Sequence, residues 1–436
     1  MTAMGLLRRS PSPSPASVSV DFLEHLFAGY TPRNFAVRLW EGSFWGNRLA
    51  PQFTLVLQHP GALRAMFLSA SELSLGESYI YDDFDIEGDI EAAVQLGDYV
   101  LSERNGFTRN LHLASLLGKL PVQGRPRLVP RLRRHRGGLH SKNRDREAIH
   151  YHYDLPSDFY ATFLDTQMVY SCAYFESPHD SLEQAQQQKL DYLCRKLRLR
   201  PGERLLDVGC GWGALVRHAA RHYGVDAYGV TISEAQVSHA QNLIQAEGLQ
   251  GRCVVELRDY RELGRMEPFD KIVSVGMFEH VGEENLPEYF GGAWRMLRPG
   301  GLFLNHGIAQ SASYRRQGPS FIDKYVFPDG DLVSISTTLR TAEQCGFEVR
   351  DVESLREQYV LTLHHWVKRL DANAEAAKRV TDQVTYRTWR LYMAGTEHSF
   401  RTARTNLYQS LMAKPINGRV NLPLTRKDWY RENSAA

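Results

Sequence analysis

The sequence predicts an α/β protein with a doubly wound parallel sheet, and two observations indicate this class. After Asn143, short apolar runs alternate with amphipathic runs of helical length at regular intervals, the pattern of a parallel sheet covered by helices on both faces. The first apolar run also ends in a glycine-rich turn that opens directly into a helical run. A mostly helical stretch over residues 360–393 is expected to cap this sheet.

Five strands and three helices are predicted for the sheet. The strands are 204–208, 226–232, 253–258, 269–275 and 301–305. The helices are 214–223, 234–247 and 286–297. The segment Arg298–Gly301, with the sequence R-P-G-G, is expected to make the turn into the fifth strand.

Composition divides the chain into four regions. Residues 1–20 are predicted to be a disordered tail, because alternating serine and proline cannot bury a core. Residues 21–118 are predicted to form a small α+β domain, with a strand at 53–57 and a helix at 61–69. Residues 119–142 are predicted to be a basic linker, and residues 143–430 to form the larger α/β domain.

The basic linker has two interpretations. Between residues 119 and 146 there are ten lysines and arginines but one acid, Asp145. Interleaved apolar residues would let this segment lie on an anionic lipid surface, where each basic side chain contributes about 1 kcal/mol. The alternative is a solvated linker that only joins two domains.

Overall composition excludes several classes of protein. Across 436 residues, 52 lysines and arginines balance 50 acids, which argues against a dedicated nucleic-acid binder. No apolar run approaches the 18 residues of a membrane span. The first twenty residues lack the apolar core of a secretory signal, so a cytoplasmic protein is expected. The five cysteines are scattered without a C-x-x-C pair, so neither a disulfide nor a metal site is predicted.

The glycine-rich turn has the sequence D-V-G-C-G-W-G over residues 207–213. A nicotinamide site would need G-x-G-x-x-G and an acid at the end of the second strand. Here the spacing is G-x-G-x-G, and residues 229–233 contain no acid, which disfavours a dehydrogenase. The turn resembles motif I of the class I S-adenosylmethionine-dependent methyltransferases; the alternative is a tight turn needed only for packing.

Six further strings narrow this resemblance to one family. They are H-Y-D-L at 152–155, Y-S-C-A-Y-F at 170–175, S-L-E-Q-A-Q at 181–186, G-V-T-I-S at 229–233, G-M-F-E-H-V at 276–281 and K-Y-V-F-P at 324–328. Between about residues 143 and 414, the chain resembles the cyclopropane-fatty-acyl-phospholipid synthases and the mycolic acid cyclopropane synthases. The preceding segment resembles, more weakly, the amino-terminal lipid-binding domain of the same enzymes.

This resemblance implies an activity and a cofactor. The methyl(ene) group of S-adenosylmethionine would pass to the cis double bond of an unsaturated phospholipid acyl chain and form a cyclopropane. A phospholipid membrane surface would be the partner, reached by peripheral association, with no nucleic acid involved and a homodimer left open. Twelve residues are expected to bind the cofactor: Tyr170, Ser171, Asp207, Gly209, Cys210, Gly211, Gly213, Thr231, Ser233, Gln236, Asp259 and Tyr260.

The resemblance also implies a bound bicarbonate ion as the base. Its site would consist of Cys172, Glu279, His306, Ile308 and Tyr359. His306 and Tyr359 can donate hydrogen bonds to an oxyanion, and Glu279 would hold the imidazole in one tautomer. For each polar residue the alternative is structural, such as a buried hydrophobic cysteine, a surface Glu279–His280 pair or a tyrosine that only packs.

One position departs from the family pattern. The family's carboxy-terminal segment often reads Y-L-x-x-C-x-x-x-F-R, whereas Thr396 occupies the cysteine position here. A thiol nucleophile is therefore excluded at this position. Which product forms from the cation on the acyl chain is left open. The alternatives are a lipid C-methyltransferase that leaves a methyl branch or a methyl-alkene, and a lipid-binding protein without activity.

Overall fold

A computed structural model describes residues 13–31, 33–69, 71–102, 107–123, 155–264, 266–314, 320–327, 330–420 and 422–430. These residues form two compact units. The first unit contains the described residues up to 123, together with Ser320, Phe321 and Gln383–Leu391, and the second contains the remainder. Most of the predicted basic linker and the H-Y-D part of the H-Y-D-L string lie outside the described residues.

The first unit is a four-stranded sheet with helices. Its strands are β1 (Phe35–Arg38), β2 (Phe44–Gly46), β3 (Phe53–Leu57) and β4 (Phe84–Gly88), in the order β2-β1-β3-β4. Its helices are α1 (Pro15–Leu26), α2 (Ala62–Phe67), α3 (Glu72–Ile80), α4 (Ile90–Ser102) and α5 (Phe107–Lys119). The strand predicted at 53–57 and the helix predicted at 61–69 correspond to β3 and α2.

The predicted disordered tail over residues 1–20 is wrong from Pro15 onward, because α1 begins there. The Ser14 hydroxyl accepts a 3.1 Å hydrogen bond from the backbone N–H of Ser17, and Pro15 occupies the first helical turn, a favourable start for a helix. Val18 and Phe22 are buried on one face of this helix. The Ser-Pro alternation before residue 15 concealed this apolar face.

Two acids of the first unit, Asp82 and Asp85, are paired with an arginine. Arg387, which belongs to the same unit, lies 2.9 Å from a carboxylate oxygen of Asp82 and 2.7 Å from one of Asp85. The side chain of Arg387 is buried. The acids therefore stabilise a buried guanidinium, which needs paired charges to be tolerated in the interior.

The second unit is built on a seven-stranded sheet. Its strands are β5 (Arg204–Val208), β6 (Asp226–Thr231), β7 (Cys253–Leu257), β8 (Phe269–Val275), β9 (Leu297–Gln310), β10 (Glu348–Ser354) and β11 (Thr405–Ala413). Their order is β10-β11-β9-β8-β5-β6-β7. Strands β5 to β9 pair in parallel, and β11 runs antiparallel to both β9 and β10.

Besides three short 3-10 helices at Tyr260–Glu262, Phe278–His280 and Glu283–Asn285, ten α-helices lie in the described part of the chain from residue 155 onward. They are α6 (Ser157–Tyr160), α7 (Leu182–Leu197), α8 (Ala214–Tyr223), α9 (Glu234–Ala246), α10 (Leu286–Met296), α11 (Phe321–Tyr325), α12 (Ile335–Gln344), α13 (Arg356–Ala372), α14 (Ala374–Val380) and α15 (Gln383–Arg401). The stretch predicted to be helical over 360–393 is α13 to α15. No helix among the described residues combines the length and apolarity needed to cross a bilayer.

Both faces of the large sheet are buried, which confirms the predicted doubly wound α/β class. Successive strand residues enter different cores: Leu205 and Val273 join one apolar cluster, whereas Leu206 and Ile272 join the other. Alternation across a strand places consecutive side chains on opposite faces. Both β5 and β8 have the bounds that the sequence predicted, although buried polar residues such as Asp207 and Ser274 interrupt their apolar runs.

Two features of the sheet differ from the prediction. Strand β9 continues to Gln310 rather than ending at Asn305, so His306 and Ile308 lie within the strand and not beyond its end. Strands β10 and β11 were not predicted. Buried polar residues, among them Gln409 and Ser410, interrupt the apolar pattern of β11 and hide it from a search for hydrophobic runs.

Candidate active site

The glycine-rich turn follows β5 and adopts positive φ angles. Gly209 has φ +82°, and a Cβ placed there would lie 2.7 Å from the Cβ of Met277. Gly211 has φ +55°, and a Cβ placed there would meet no atom within 4 Å. Gly209 is therefore required for close packing. At Gly211, the absence of a side chain leaves free space beside the backbone of the turn.

A cavity opens beside this turn, at the carboxyl ends of β5, β6 and β8. Ten of the twelve predicted cofactor-binding residues line it: Tyr170, Ser171, Asp207, Gly209, Cys210, Gly211, Thr231, Gln236, Asp259 and Tyr260. This edge of a doubly wound sheet, where the strand order reverses, is the usual ligand site of the fold. The sequence motifs thus converge on one concave surface.

Gly213 and Ser233 are not part of the cavity lining. A Cβ at Gly213 would lie 2.9 Å from the Cβ of Ala240, so this glycine permits α8 to pack closely against α9. The Ser233 hydroxyl accepts a 3.4 Å hydrogen bond from the backbone N–H of Gln236 and caps α9. Both residues shape the walls of the site through the helices they position.

Lys189 lines the cavity, and the sequence interpretation missed it. Its Nζ donates a 2.7 Å hydrogen bond to the hydroxyl of Ser171. Burial lowers the pKa of Lys189 and raises the pKa of Asp207, while the attraction between their charges opposes both shifts. In the sequence, Lys189 is indicated by its position on the apolar face of α7, where lysine is rare.

Asp207 presents an unpaired atom to the same region. Its Oδ1 is buried and has no hydrogen-bond partner among the described residues. A buried polar atom without a partner is costly and calls for a ligand or another explanation. Together, Lys189 and Asp207 place one cationic and one acidic group at the wall of the cavity.

The Y-S-C-A-Y-F segment is fixed by two helices. From α7, the Gln186 amide donates a 2.9 Å hydrogen bond to the carbonyl of Ser171. From α13, the Thr362 hydroxyl accepts a 3.0 Å bond from the N–H of Ala173, and the Gln358 side chain accepts a 2.7 Å bond from that of Phe175. The segment is consequently held at both ends, which makes it a rigid wall.

Cys172 lies within this segment and is fully buried. Its thiol donates a 3.2 Å hydrogen bond to the carbonyl of Ala173, and the Thr362 hydroxyl lies 3.9 Å from the sulfur. Burial raises the pKa of the Cys172 thiol to about 12. The protein therefore holds it as a neutral thiol, unsuited to nucleophilic attack.

Glu279 and Ile308 are brought into direct contact. The carboxylate Oε1 of Glu279 accepts a 2.7 Å hydrogen bond from the backbone N–H of Ile308. The other oxygen, Oε2, is buried without a partner among the described residues. Burial raises the pKa of Glu279 to about 7. The side chain is therefore poised between a carboxylate and a neutral acid near neutral pH.

His306 has a different neighbour from the predicted one. Its Nδ1 lies 3.1 Å from the side-chain Nε2 of Gln409, and its own Nε2 is buried without a partner among the described residues. The prediction that Glu279 holds the imidazole is therefore wrong. The reason is the antiparallel insertion of β11, which places Gln409 directly opposite His306 on β9.

Tyr359 lies on α13, where its ring is 4.7 Å from that of Phe400 and 6.0 Å from that of Trp366. Trp366 in turn stacks on Tyr170 at 5.2 Å, so an aromatic cluster links Tyr359 to the wall of the cavity. Tyr359 is buried. The contacts therefore support a packing role for its ring, and its predicted part in the bicarbonate site stays a prediction.

Tyr392 is a second residue that the sequence interpretation did not assign to the site. It is buried, and burial raises the pKa of its hydroxyl to about 12, with further effects from Tyr170, Glu279 and Thr396. Tyr392 therefore interacts both with Tyr170, which lines the cavity, and with Glu279. Thr396, at the position where the family often has cysteine, lies one helical turn away on α15.

Comparison with known proteins decides the family. The family model described as mycolic acid cyclopropane synthetase matches residues 140–410. The chain belongs to this family. Its fold is that of the class I S-adenosylmethionine-dependent methyltransferases, and it is an enzyme of that class.

Two curated relatives and one solved structure illustrate the similarity. The chain is 41% identical over 400 residues to a probable fatty acid methyltransferase of Pseudomonas putida, covering 91% of this chain and 96% of that protein. It is 40% identical to the cyclopropane-fatty-acyl-phospholipid synthase of Escherichia coli K12, covering 61% and 67% respectively. A mycolic acid cyclopropane synthase solved with SAH and CTAB superposes with a TM-score of 0.59 at 36% identity, covering 62% of this chain and 98% of that one.

Proposed function

We propose that this enzyme transfers the one-carbon unit of S-adenosylmethionine to the cis double bond of an unsaturated phospholipid acyl chain, giving a cyclopropane fatty acid, with a bound bicarbonate as base. The main support is a pair of buried polar atoms without partners among the described residues, Glu279 Oε2 and His306 Nε2, in the unit that carries the glycine-lined cavity. The named relatives act on lipids or fatty acids by their descriptions.

The cavity has the donor set that S-adenosylmethionine requires. When bound, this cofactor supplies an electrophilic methyl group on a sulfonium. Lys189 and the Ser171 hydroxyl would hold the carboxylate of its amino-acid end, and Asp207 would hold the ammonium. Gly211 would let the backbone approach the cofactor without a side chain in between.

The acceptor places a second demand on the protein. An alkene is a weak nucleophile, so alignment with the methyl group must supply much of the acceleration, and good orientation is worth about 7–11 kcal/mol. The resulting cation must be kept from water. The buried rings of Trp366, Tyr359 and Tyr392 fit this requirement because aromatic faces attract cations and exclude solvent.

The bicarbonate part of the proposal follows from donor geometry. An oxyanion in a buried site needs hydrogen-bond donors or cations to offset its desolvation. A protonated Glu279, favoured by its raised pKa, and the ring N–H of His306 could both donate. Bicarbonate would supply a base small enough to reach a carbon next to the cofactor.

A second product is favoured by specific observations. A relative that covers 91% of this chain is a probable fatty acid methyltransferase, and Thr396 replaces the cysteine that the family often carries. Loss of the proton from a different carbon would leave a methyl-alkene, and a methyl branch would form only if a separate hydride donor then reduced that alkene. This alternative keeps the cofactor and the lipid substrate.

Labelled S-adenosylmethionine with vesicles of unsaturated phospholipid tests the proposal. The acyl products are analysed by gas chromatography and NMR, because a ring and a methyl-alkene add the same mass. Cyclopropane signals that fall in bicarbonate-depleted buffer would support the full proposal. A methyl-alkene would support the second product, and no labelled lipid together with no cofactor binding would indicate a lipid-binding protein without activity.

Attachment to an anionic phospholipid surface is a further part of the proposal. It is supported by the basic composition of residues 119–146 and by the location of phospholipid acyl chains in bilayers. Basic clusters bind anionic bilayers through screened electrostatic attraction. The substrate would then be drawn from the membrane to which the enzyme is attached.

A further inference from the structure

Three buried side chains form a hydrogen-bonded row that ends at His306. Lys196 Nζ donates a 2.8 Å hydrogen bond to Oε1 of Gln409, and Nε2 of Gln409 lies 3.1 Å from Nδ1 of His306. Each of these residues is at most 1% exposed. Because bulk solvent does not reach the row, its polar atoms depend on partners other than bulk water.

The chemistry of these groups fixes the direction of every bond. An ammonium group can only donate, so the oxygen of the Gln409 amide must face Lys196 and its NH₂ must face His306. The NH₂ can also only donate, so Nδ1 of His306 must accept with its lone pair. A neutral imidazole carries one N–H, and that proton must then be on Nε2.

The far end of the row is anchored by acids on β10. Glu353 accepts a hydrogen bond from the ammonium of Lys196, and an oxygen of Asp351 lies 3.9 Å from it. The ammonium also lies 4.7 Å from the centre of the Tyr192 ring. Burial lowers the pKa of Lys196, and the two carboxylates oppose that shift. They thus favour the charged form that orients Gln409.

The His306 ring is kept neutral by its surroundings. Burial lowers the pKa of His306 well below its ordinary range, and the positive charges of Lys189 and Lys196 lower it further. The cross-strand register supports the same contact, because Gln409 on β11 lies directly opposite His306 on β9. The backbone pairing of two strands therefore positions the amide against the ring.

We infer that Gln409, oriented by Lys196, is a positioning residue that fixes His306 as its Nε2–H tautomer, so that the ring offers a donor and not a base. The atom it offers is the buried Nε2 that has no partner among the described residues. The use of that donor rests on the proposed function, in which an oxyanion binds there. His306 would then hold the base of the reaction without being that base.

Nitrogen NMR of the full-length protein tests the tautomer without an activity assay. Histidine labelled with ¹⁵N is incorporated, and long-range ¹H–¹⁵N correlations show which ring nitrogen carries the proton. A His306→Gln variant identifies the signals of His306 by their loss. The expected result is a neutral Nε2–H ring, and an Nδ1–H ring or an imidazolium in the wild-type protein would overturn the inference.

A Gln409→Glu variant tests the cause. A carboxylate accepts where the amide donated, so His306 should switch to the Nδ1–H form or gain a second proton, while kcat falls at least about tenfold and the KM for S-adenosylmethionine stays the same. Gln241→Glu is the control for the substitution itself, because Gln241 lies on α9, where its side-chain amide donates a hydrogen bond to the carbonyl of Val255 on β7. It should leave the His306 signals unchanged.

The outcomes separate the inference from the proposed function. A folded Gln409→Glu protein in which His306 stays Nε2–H would overturn the role of Gln409. A tautomer switch with unchanged turnover would uphold the role of Gln409 and remove His306 from the reaction. Should the variant not fold, the wild-type spectrum alone still supports or overturns the assigned tautomer.

Discussion

The carboxylate of Glu279 accepts a 2.7 Å hydrogen bond from the backbone N–H of Ile308, which ties the loop after β8 to the adjacent strand β9. Burial raises the pKa of this carboxyl group from 4.5 to about 7. The contact therefore joins two residues of the candidate bicarbonate site. It also makes the protonation state of Glu279 depend on pH in the neutral range.

The raised pKa of Glu279 should make the free energy of unfolding depend on pH. Between pH 4.5 and 7, folded Glu279 retains a proton that the unfolded chain has released, so the free energy of unfolding falls as pH rises. The shift corresponds to about 3 kcal/mol. The test is urea unfolding of wild-type and Glu279→Gln protein at several pH values between 4.5 and 7. The free energy of unfolding of the wild type should fall by this amount relative to that of the variant. Parallel curves for the two proteins would contradict a raised pKa.

Gly211 should be needed for cofactor binding more than for stability. Gly211→Ala and Gly248→Ala introduce a Cβ at similar positive φ angles, +55° and +67°, and neither Cβ meets an atom within 4 Å. Each should cost about 1–2 kcal/mol of stability. Of these two glycines, only Gly211 lines the cavity. Calorimetry should therefore show about tenfold weaker S-adenosylmethionine binding for Gly211→Ala and unchanged binding for Gly248→Ala. Equal affinities would remove the turn from the site.

Lys189 should bind the cofactor rather than support the fold alone. Lys189→Met removes the buried ammonium at Ser171 and should raise the Kd for S-adenosylmethionine by about tenfold or more. Lys271→Met is the matched control, because Lys271 is also buried but lies 3.7 Å from Glu203 and away from the cavity. Similar Kd values for both variants would show that the effect of Lys189 is structural.

Membrane attachment should depend on the basic segment. Replacing Arg131, Arg133, Arg134 and Arg136 with glutamine in the full-length protein should weaken sedimentation with anionic vesicles by about 100-fold or more at low salt, given about 1 kcal/mol per residue. Binding to neutral vesicles should not change. If the variant sediments as well as the wild type, this segment only joins the two units.

The part of the fold nearest the glycine turn was the most predictable from the sequence. Strands β5 and β8 and helix α8 have the predicted bounds, because glycine or proline residues next to each strand mark its ends. Strand β11 escaped prediction because Gln409 and Ser410 are buried polar residues. The side chain of Gln409 bonds Lys196 on α7 and His306 on β9, and local periodicity does not record such contacts.

The residues of the candidate site likewise differ in how far the sequence predicts them. Glycines, the Y-S-C-A-Y-F segment and Glu279 belong to contiguous strings, and Tyr170, Ser171, Gly209 and Gly211 from these strings line one cavity. The pairing of Gln409 with His306 joins residues 103 positions apart. Such a contact depends on strand register, so no contiguous sequence motif predicts it.

The place of β11 in the sheet has a consequence for how the protein is made. This strand follows every other described strand in the chain, yet it lies between β9 and β10. During synthesis, β9 therefore emerges from the ribosome with an unpaired edge, and β10 has no neighbour until Thr405–Ala413 has been added. Unpaired edges invite association between chains. A pause in translation before residue 405 would thus leave a nascent chain that is both inactive and prone to aggregate.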